Sequence, residues 1–182
     1  MEKHFYFFRH GQTNENELGK REGLGTGAYL TDLGKCQAQK LSDFLKDKNL
    51  DVIYTSPYKR AVDTAEIIAS KYKNLDIIPN NALCEIVFGF WGSCDEESKK
   101  RMENNYNKIQ KFLKKIAISK KYKNIAVSSH GGVTRALCFA AGQKIEGIKN
   151  CECFHFLLKD NIFKYIETFD TGINVNNVSD KK

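Results

Sequence analysis

The sequence predicts an α/β protein, a three-layer α/β/α sandwich around a mostly parallel central sheet. Three observations carry this expectation. Short runs of strand-forming apolar residues alternate with longer segments whose apolar residues recur at helical spacing. The first run, Phe5-Tyr6-Phe7-Phe8, is apolar at every position, the pattern of a strand buried on both faces. That run ends in Arg9-His10-Gly11, and a late run, Val127-Ser128-Ser129, ends in His130-Gly131-Gly132. Two strands each ending in His-Gly place two imidazoles on one edge of one sheet, the edge where open α/β sheets bind ligands.

Each element has its own signal. Residues 3–9 form the first strand, and residues 10–30 a long loop rich in charge and in Gly19, Gly23, Gly25 and Gly27. A loop of that length after a candidate nucleophile is more often functional than idle. Thr31 or Asp32 caps a helix to about Lys48, with Leu33, Ala38, Leu41, Phe44 and Leu45 on its apolar side. Residues 51–55 are a second strand, and Ser56-Pro57 reads as an N-cap with proline at the first helical position. That helix continues to about Tyr72 through Ala61, Ala65, Ile67, Ile68 and Ala69. Residues 76–78 are a third strand. Residues 95–119 are helical, with Met102, Tyr106, Ile109, Leu113 and Ile116 as a core stripe. Residues 124–129 form the next strand and 131–142 contain a short helix. Residues 151–159 and 162–169 are strands joined by a hairpin turn at 159–161. Residues 1–170 are expected to form one domain, and 171–182 a disordered polar tail.

Composition narrows the function classes. The chain has 182 residues, of which 41% are hydrophobic, enough for a core of ordinary size. It has no apolar run long enough to span a bilayer and no secretory signal pattern, so no membrane partner and a cytoplasmic location are expected. The six cysteines contain no CxxC pair and read as reduced thiols, with Cys151 and Cys153 on one face of a strand. The net charge of +7 comes from dispersed lysines rather than a stripe interleaved with aromatics, which argues against nucleic acid as a partner. A basic surface still attracts anionic substrates. Nothing in the sequence constrains the oligomeric state.

The chemistry-bearing residues point to phosphoryl groups. Arginine offers a fixed fork of donors to phosphate oxygens, and a neutral histidine is a nucleophile near neutral pH. Arg9 beside His10, with a close-approach glycine after them, suggests that pairing. Arg60 lies in the first turn of its helix, where a cation opposes the helix dipole. It is either an ordinary surface arginine or a residue that meets an anion there. Glu85 lies among apolar neighbours, so it is either a group suited to proton transfer or an exposed residue on a half-buried loop.

Taken together, these motifs resemble those of the histidine phosphatase superfamily, with its phosphoglycerate mutase-like fold. Arg9-His10-Gly11-Gln12-Thr13 resembles the family's nucleophile motif, and Asn16 matches a phosphate-contacting asparagine. Leu30-Thr31-Asp32-Leu33-Gly34 resembles the start of its first helix, and Ser56-Pro57-Tyr58-Lys59-Arg60-Ala61 the motif of its second phosphate arginine. Leu83-Cys84-Glu85 with Gly89-Phe90-Trp91-Gly92, one spacer residue short, is similar to the segment bearing the acid. Ser129-His130-Gly131-Gly132 resembles the second-histidine motif.

The resemblance implies a catalytic set of His10, Glu85, Arg9, Arg60 and His130. His10 attacks phosphorus with its other ring nitrogen held by a backbone acceptor. Arg9, Arg60, His130, Asn16 and the backbone of Gly131 hold the phosphoryl oxygens, and Glu85 is the acid and then the base. It implies no cofactor and no metal, because arginines and histidines supply the positive charge.

Two departures shape the functional expectation. Only 45 positions separate Glu85 from His130, whereas the family's mutases carry a longer insertion there, so the helix at 95–119 serves as the lid. Residues 23–27, Gly-Leu-Gly-Thr-Gly, replace a segment where relatives often place an aromatic. The resulting expectation is a metal-independent phosphomonoesterase acting through phosphohistidine on a small phosphate ester or a phosphoprotein. The alternatives are a 2,3-bisphosphoglycerate-dependent phosphoglycerate mutase, a phosphohistidine protein phosphatase, or a phospholigand-binding protein without catalysis. Lys99, Lys100 and Arg101 either reach the substrate from the lid helix or form a solvated helix face, the latter being favoured, and His4, His155 and Arg135 are given no catalytic role.

Overall fold

The computed structural model describes residues 2–20, 27–85, 96–140, 143, 145, 147–160 and 162–173. Its strands are β1 (Lys3–Arg9), β2 (Val52–Thr55), β3 (Ile77–Pro79), β4 (Asn124–Ser129), β5 (Cys153–Lys159) and β6 (Ile162–Phe169). Its α-helices are α1 (Asn14–Glu17), α2 (Asp32–Leu45), α3 (Lys59–Ala69), α4 (Glu96–Ile118) and α5 (Gly131–Ala140). The strands form one sheet in the order β3-β2-β4-β1-β5-β6. β1 to β4 run parallel, and only β5, antiparallel to both β1 and β6, points the other way.

Alternation along β1 divides the core in two. Phe5 and Phe7 join Val52, Ile125, Val127, Phe154 and Phe156 under α4 and α5, where Ile109, Phe112, Leu113, Ile116, Val133 and Leu137 meet them. Tyr6 and Phe8 join Ile53 and Ala126 under α2 and α3, against Ala38, Leu41, Leu45, Ala65 and Ile68. Helices on both faces of a mostly parallel sheet are the expected three layers, and they explain the unbroken apolar runs. β3 lies at the edge, where Pro79 withholds no ladder hydrogen bond that the sheet needs. At the opposite end of β1 from Arg9, the buried Lys3 ammonium donates to the carbonyls of Ser119 (2.6 Å) and Tyr122, just beyond the C-terminus of α4. A cation there complements the helix dipole and stands in for partners the last carbonyls lack.

Several expectations need correction. The 10–30 segment holds a helical turn, α1, built by a reciprocal capping box between Thr13 and Asn16. Its residues, Asn-Glu-Asn-Glu, have no apolar periodicity to announce it. α3 starts at Lys59, with Tyr58 at its N-cap, rather than at Pro57. The Ser56 hydroxyl instead accepts the Tyr58 N–H at 3.3 Å, closing a two-residue turn. α3 also ends at Ala69, and the hydroxyl of Tyr72 beyond it donates to the Leu45 carbonyl. β5 begins at Cys153, because Cys151 turns the chain with φ of 56°. The two thiols are therefore not neighbours on a strand face, although both are buried in the α2–α3 core. Residues 171–173 of the expected tail pack on the fold: Thr171 is buried and the Ile173 carbonyl accepts from Gln37 Nε2. The rest of the tail lies outside the described residues.

The turn after His10 passes the start of α2 at contact distance. A Cβ on Gly11 would lie 2.5 Å from the Gly34 carbonyl oxygen, and one on Gly34 would strike Gln12 backbone closer still. Both glycines are therefore required by close approach, not by a positive φ. Gly34→Ala is expected to lower stability by at least about 2 kcal/mol in a urea titration, because backbone lies on both sides of the clash.

On the sheet's other wing His155 stacks on Tyr6 (4.5 Å between centroids) and its Nε2 lies 2.9 Å from His4 Nδ1. Burial first, then His4, hold the His155 pKa below its ordinary value, against the opposing Glu167 carboxylate 3.5 Å away; Lys48 lies on the same side. The unfolded chain then binds the proton more readily, so this stability is present above about pH 6.5 and is lost as pH falls. The urea midpoint should drop between pH 7.5 and 5, and His155→Phe should lessen that drop.

Candidate active site

The parallel pairing of β1 with β4 sets Arg9 opposite Ser129, so both strands run out together. The next residues, His10 and His130, stand side by side, joined by the His10 N–H to the Ser129 carbonyl at 3.0 Å. Their ring centroids are 5.3 Å apart in an edge-on arrangement. The alternation that divides the core also divides the site. Arg9, in step with Phe5 and Phe7, reaches the α5 side, with its Cδ 3.8 Å from the Cβ position at Gly131. His10, in step with Tyr6 and Phe8, meets α3.

Both ring nitrogens of His10 are engaged, and their partners define the tautomer. Nδ1 lies 2.8 Å from the Gly11 carbonyl oxygen, which can only accept, so Nδ1 carries the proton. Nε2 accepts from Arg60 Nε at 3.2 Å and therefore holds the lone pair. The histidine is fully buried. Arg60 is no surface residue: it too is fully buried, under the ring of Tyr58 at 5.1 Å from the guanidinium carbon. Thr64, one turn later on α3, donates to the Arg60 carbonyl at 2.7 Å and accepts from the Gly11 N–H at 3.1 Å, tying the helix to the turn after the nucleophile.

His130 is buried, with Nε2 2.8 Å from the Ser56 hydroxyl, while Nδ1 has no hydrogen-bond partner among the described residues. Burial chiefly, then the neighbouring His10, Arg60 and Arg9, hold its pKa well below the usual imidazole range. The ring is therefore neutral at pH 7. Tyr58 packs edge-on against it at 5.4 Å. The Tyr58 phenol is pushed up by burial and by Cys84 beside it.

Glu85 meets this group through the first turn of α5, where one carboxylate oxygen accepts the Gly132 N–H at 3.1 Å. A carboxylate at a helix N-terminus complements the dipole there. Glu85 is half-buried and thus keeps access to solvent. Arg9 Nη1 donates to the Ile148 carbonyl at 2.8 Å, which fixes its reach from the far side. Asn16 is brought in by its capping box, and its Oδ1 shares a donor with the His10 carbonyl, Asn150 Nδ2, at 3.0 Å from each.

The structure thus gathers Arg9, His10, Asn16, Arg60, Glu85, His130 and Gly131 at one end of the sheet. Gly89, Trp91, Gly92 and residues 23–26 lie outside the described residues, as do the side chains of Lys99 and Arg101; Lys100 is exposed on α4. Among the described residues no cluster of three or more His, Cys, Asp or Glu could hold a metal ion, and no helix is long and apolar enough to cross a membrane. Sequence reasoning missed Ser56, Thr64 and Asn150, small polar residues whose partners lie from 53 to 140 positions away.

The family model described as the histidine phosphatase superfamily (branch 1) matches residues 5–115. Phosphoserine phosphatase 1 of Hydrogenobacter thermophilus is 30% identical over 152 residues, covering 71% of this chain and 71% of its own. Phosphoglycerate mutase-like protein 4 of Arabidopsis thaliana is 29% identical over 180 residues, covering 84% and 78%. Among solved structures, a phosphoglycerate mutase from Bacillus anthracis superposes with a TM-score of 0.80 at 19% identity, covering 94% of this chain and 95% of its own.

Because the Gly11 N–H is buried, losing its acceptor leaves a donor unsatisfied. Thr64→Val should cost about 1–3 kcal/mol in thermal or urea unfolding, while Thr64→Ser, which keeps the hydroxyl, should cost less.

Proposed function

The chain belongs to the histidine phosphatase superfamily, and from that premise we propose that it hydrolyses a small phosphate monoester through a phosphohistidine formed at His10 Nε2. The observation that carries this reading is the tautomer of His10. A proton held on Nδ1 by Gly11 leaves the Nε2 lone pair as the nucleophile, with no base needed to generate it.

In the first half-reaction Nε2 forms a bond to phosphorus as the ester P–O bond breaks. Arg60 Nε, which donates to His10 Nε2 in this structure, turns that donor to a phosphoryl oxygen as the P–N bond forms. Arg9 flanks from the α5 side, and Asn16 and the Gly131 backbone add donors. His130 presents Nδ1, the ring nitrogen with no partner in the described fold, and an arriving dianion raises its proton affinity. Preset donors around the phosphoryl group stabilise its charge without reorganising in the transition state. Glu85, entering protonated, gives its proton to the leaving alkoxide. In the second half-reaction the Glu85 carboxylate takes a proton from water as the water oxygen attacks phosphorus. The P–N bond breaks, and phosphate departs from restored His10.

Transfer to water is favoured over return to a second phosphoester by the short span between the acid and the second histidine, which includes α4 and no further described helix. A phosphoserine phosphatase among the relatives makes phosphoserine a member of the substrate panel, beside phosphoglycerates, sugar phosphates, nucleotides and an aryl phosphate.

Phosphate release should persist in EDTA and fall by at least about 1000-fold in His10→Ala. Retained turnover in that variant with an intact fold would remove His10 from the reaction. Glu85→Gln should slow an alkyl phosphate by about 100-fold or more and an aryl phosphate much less, because a good leaving group needs little protonation. Equal losses on both would take the acid role from Glu85. Interconversion of 2- and 3-phosphoglycerate faster than phosphate release would indicate a mutase instead.

A further inference from the structure

We propose that Asn150 is a positioning residue that sets the nucleophile and one phosphate donor together. The inference rests on the phosphohistidine reading. Asn150 sits at the turn before β5, followed by Cys151 with its positive φ of 56°. That backbone lets the Cys151 N–H donate to the Arg9 carbonyl at 3.0 Å and toward the His10 carbonyl at 3.3 Å. The half-buried Asn150 side chain completes the arrangement. Its Nδ2 donates to the His10 carbonyl at 3.0 Å and to Asn16 Oδ1 at 3.0 Å, one amide hydrogen to each.

The amide orientations in this chain of contacts are determined by groups that have no choice. The Thr13 N–H can only donate, so the Asn16 atom facing it at 3.3 Å is the oxygen. The His10 carbonyl can only accept, so the Asn150 atom facing it is the nitrogen. The contact between the two side chains then pairs a donor with an acceptor without any free assignment. Two consequences follow. His10 lies just past the last β1–β4 pair, and Asn150 and Cys151 hold its carbonyl where the ladder no longer does. Asn16 is held with its oxygen occupied twice, which leaves Nδ2 as its donor end for an anion. Without Asn150 that amide turns more freely, and an oxygen facing a phosphoryl group would repel it.

The test uses the full chain with Asn150→Ala, the isosteric Asn150→Asp, Asn16→Ala and the double variant Asn16→Ala/Asn150→Ala. Inorganic phosphate affinity is read by calorimetry, which needs no turnover, alongside kcat, KM and the thermal midpoint. Asn150→Ala should weaken phosphate about 10-fold and lower kcat about 10-fold or more, since small misplacements of a reacting group are costly. Asn150→Asp should be worse than Ala, because it sets a carboxylate oxygen against two acceptors. On the Asn16→Ala background the effect of Asn150→Ala on phosphate affinity should shrink to about 2-fold, while its effect on kcat persists through His10.

An Asn150→Ala variant within about 2-fold of wild type in both readouts would overturn the proposal, as would the Asp isostere matching wild type. Equal losses of phosphate affinity with and without Asn16 would reduce Asn150 to general support of the fold. A lack of turnover in wild type on every ester, with phosphate binding intact, strikes the phosphohistidine reading and leaves the affinity cycle readable.

Discussion

Two parallel strands ending at the same level are the constraint from which the rest of this structure follows. β1 and β4 lie side by side at the centre of the sheet, and their register makes His10 and His130 neighbours without any contact between the side chains having to arrange it. Each strand is followed by its histidine and then by glycine. After β1, Gly11 lets the turn pass α2 at backbone contact, and after β4, Gly131 opens α5 directly. The strand alternation then assigns directions: Arg9 goes to the α5 side and His10 to the α3 side. A shift of one residue in the β1–β4 register would send each of these side chains to the wrong layer and expose a core face at the same time. Stability and site geometry are therefore enforced by the same hydrogen bonds.

The second organising feature is a group of cations and imidazoles gathered at one end of the sheet. Arg60 is completely buried and donates from Nε to His10, and His130 feels the charge of both Arg60 and Arg9. Burial chiefly, and then the neighbouring His10, Arg60 and Arg9, keep the proton affinity of His130 low. Under the proposed function, an entering dianion adds counter-charge to these cations and to the N-terminal dipole of α5. One Glu85 carboxylate oxygen accepts the Gly132 N–H at the N-terminus of α5.

Much of this was legible in the residues themselves. The continuous apolar runs of β1 and β4 required burial on both faces, and with the alternating helical stripes they specified three layers. Arg-His-Gly and His-Gly at strand ends placed the two imidazoles on one edge. The motif around Arg60 was readable as a phosphate motif, but its burial was not, because a charged residue in a first helical turn looks the same whether it faces water or a cavity. α1 was invisible because a capping box involves two polar side chains and no hydrophobic period. The start of α3 was misplaced for a related reason. Ser56-Pro57 has the local chemistry of an N-cap, and only the approach of His130 from 74 positions away draws the hydroxyl into another role.

The sequence by itself determined the layer architecture, the strand-end chemistry and the identity of the arginines and imidazoles gathered at the sheet end, because each of these depends on local pattern: period, turn residues and side-chain type. The tertiary structure alone decided the protonation pattern of His10, the burial of Arg60 and the link from Asn150 to both His10 and Asn16. Those properties depend on which polar atoms meet across long chain separations, and a hydrogen bond of 3 Å between residues 134 or 140 positions apart leaves no trace in local pattern.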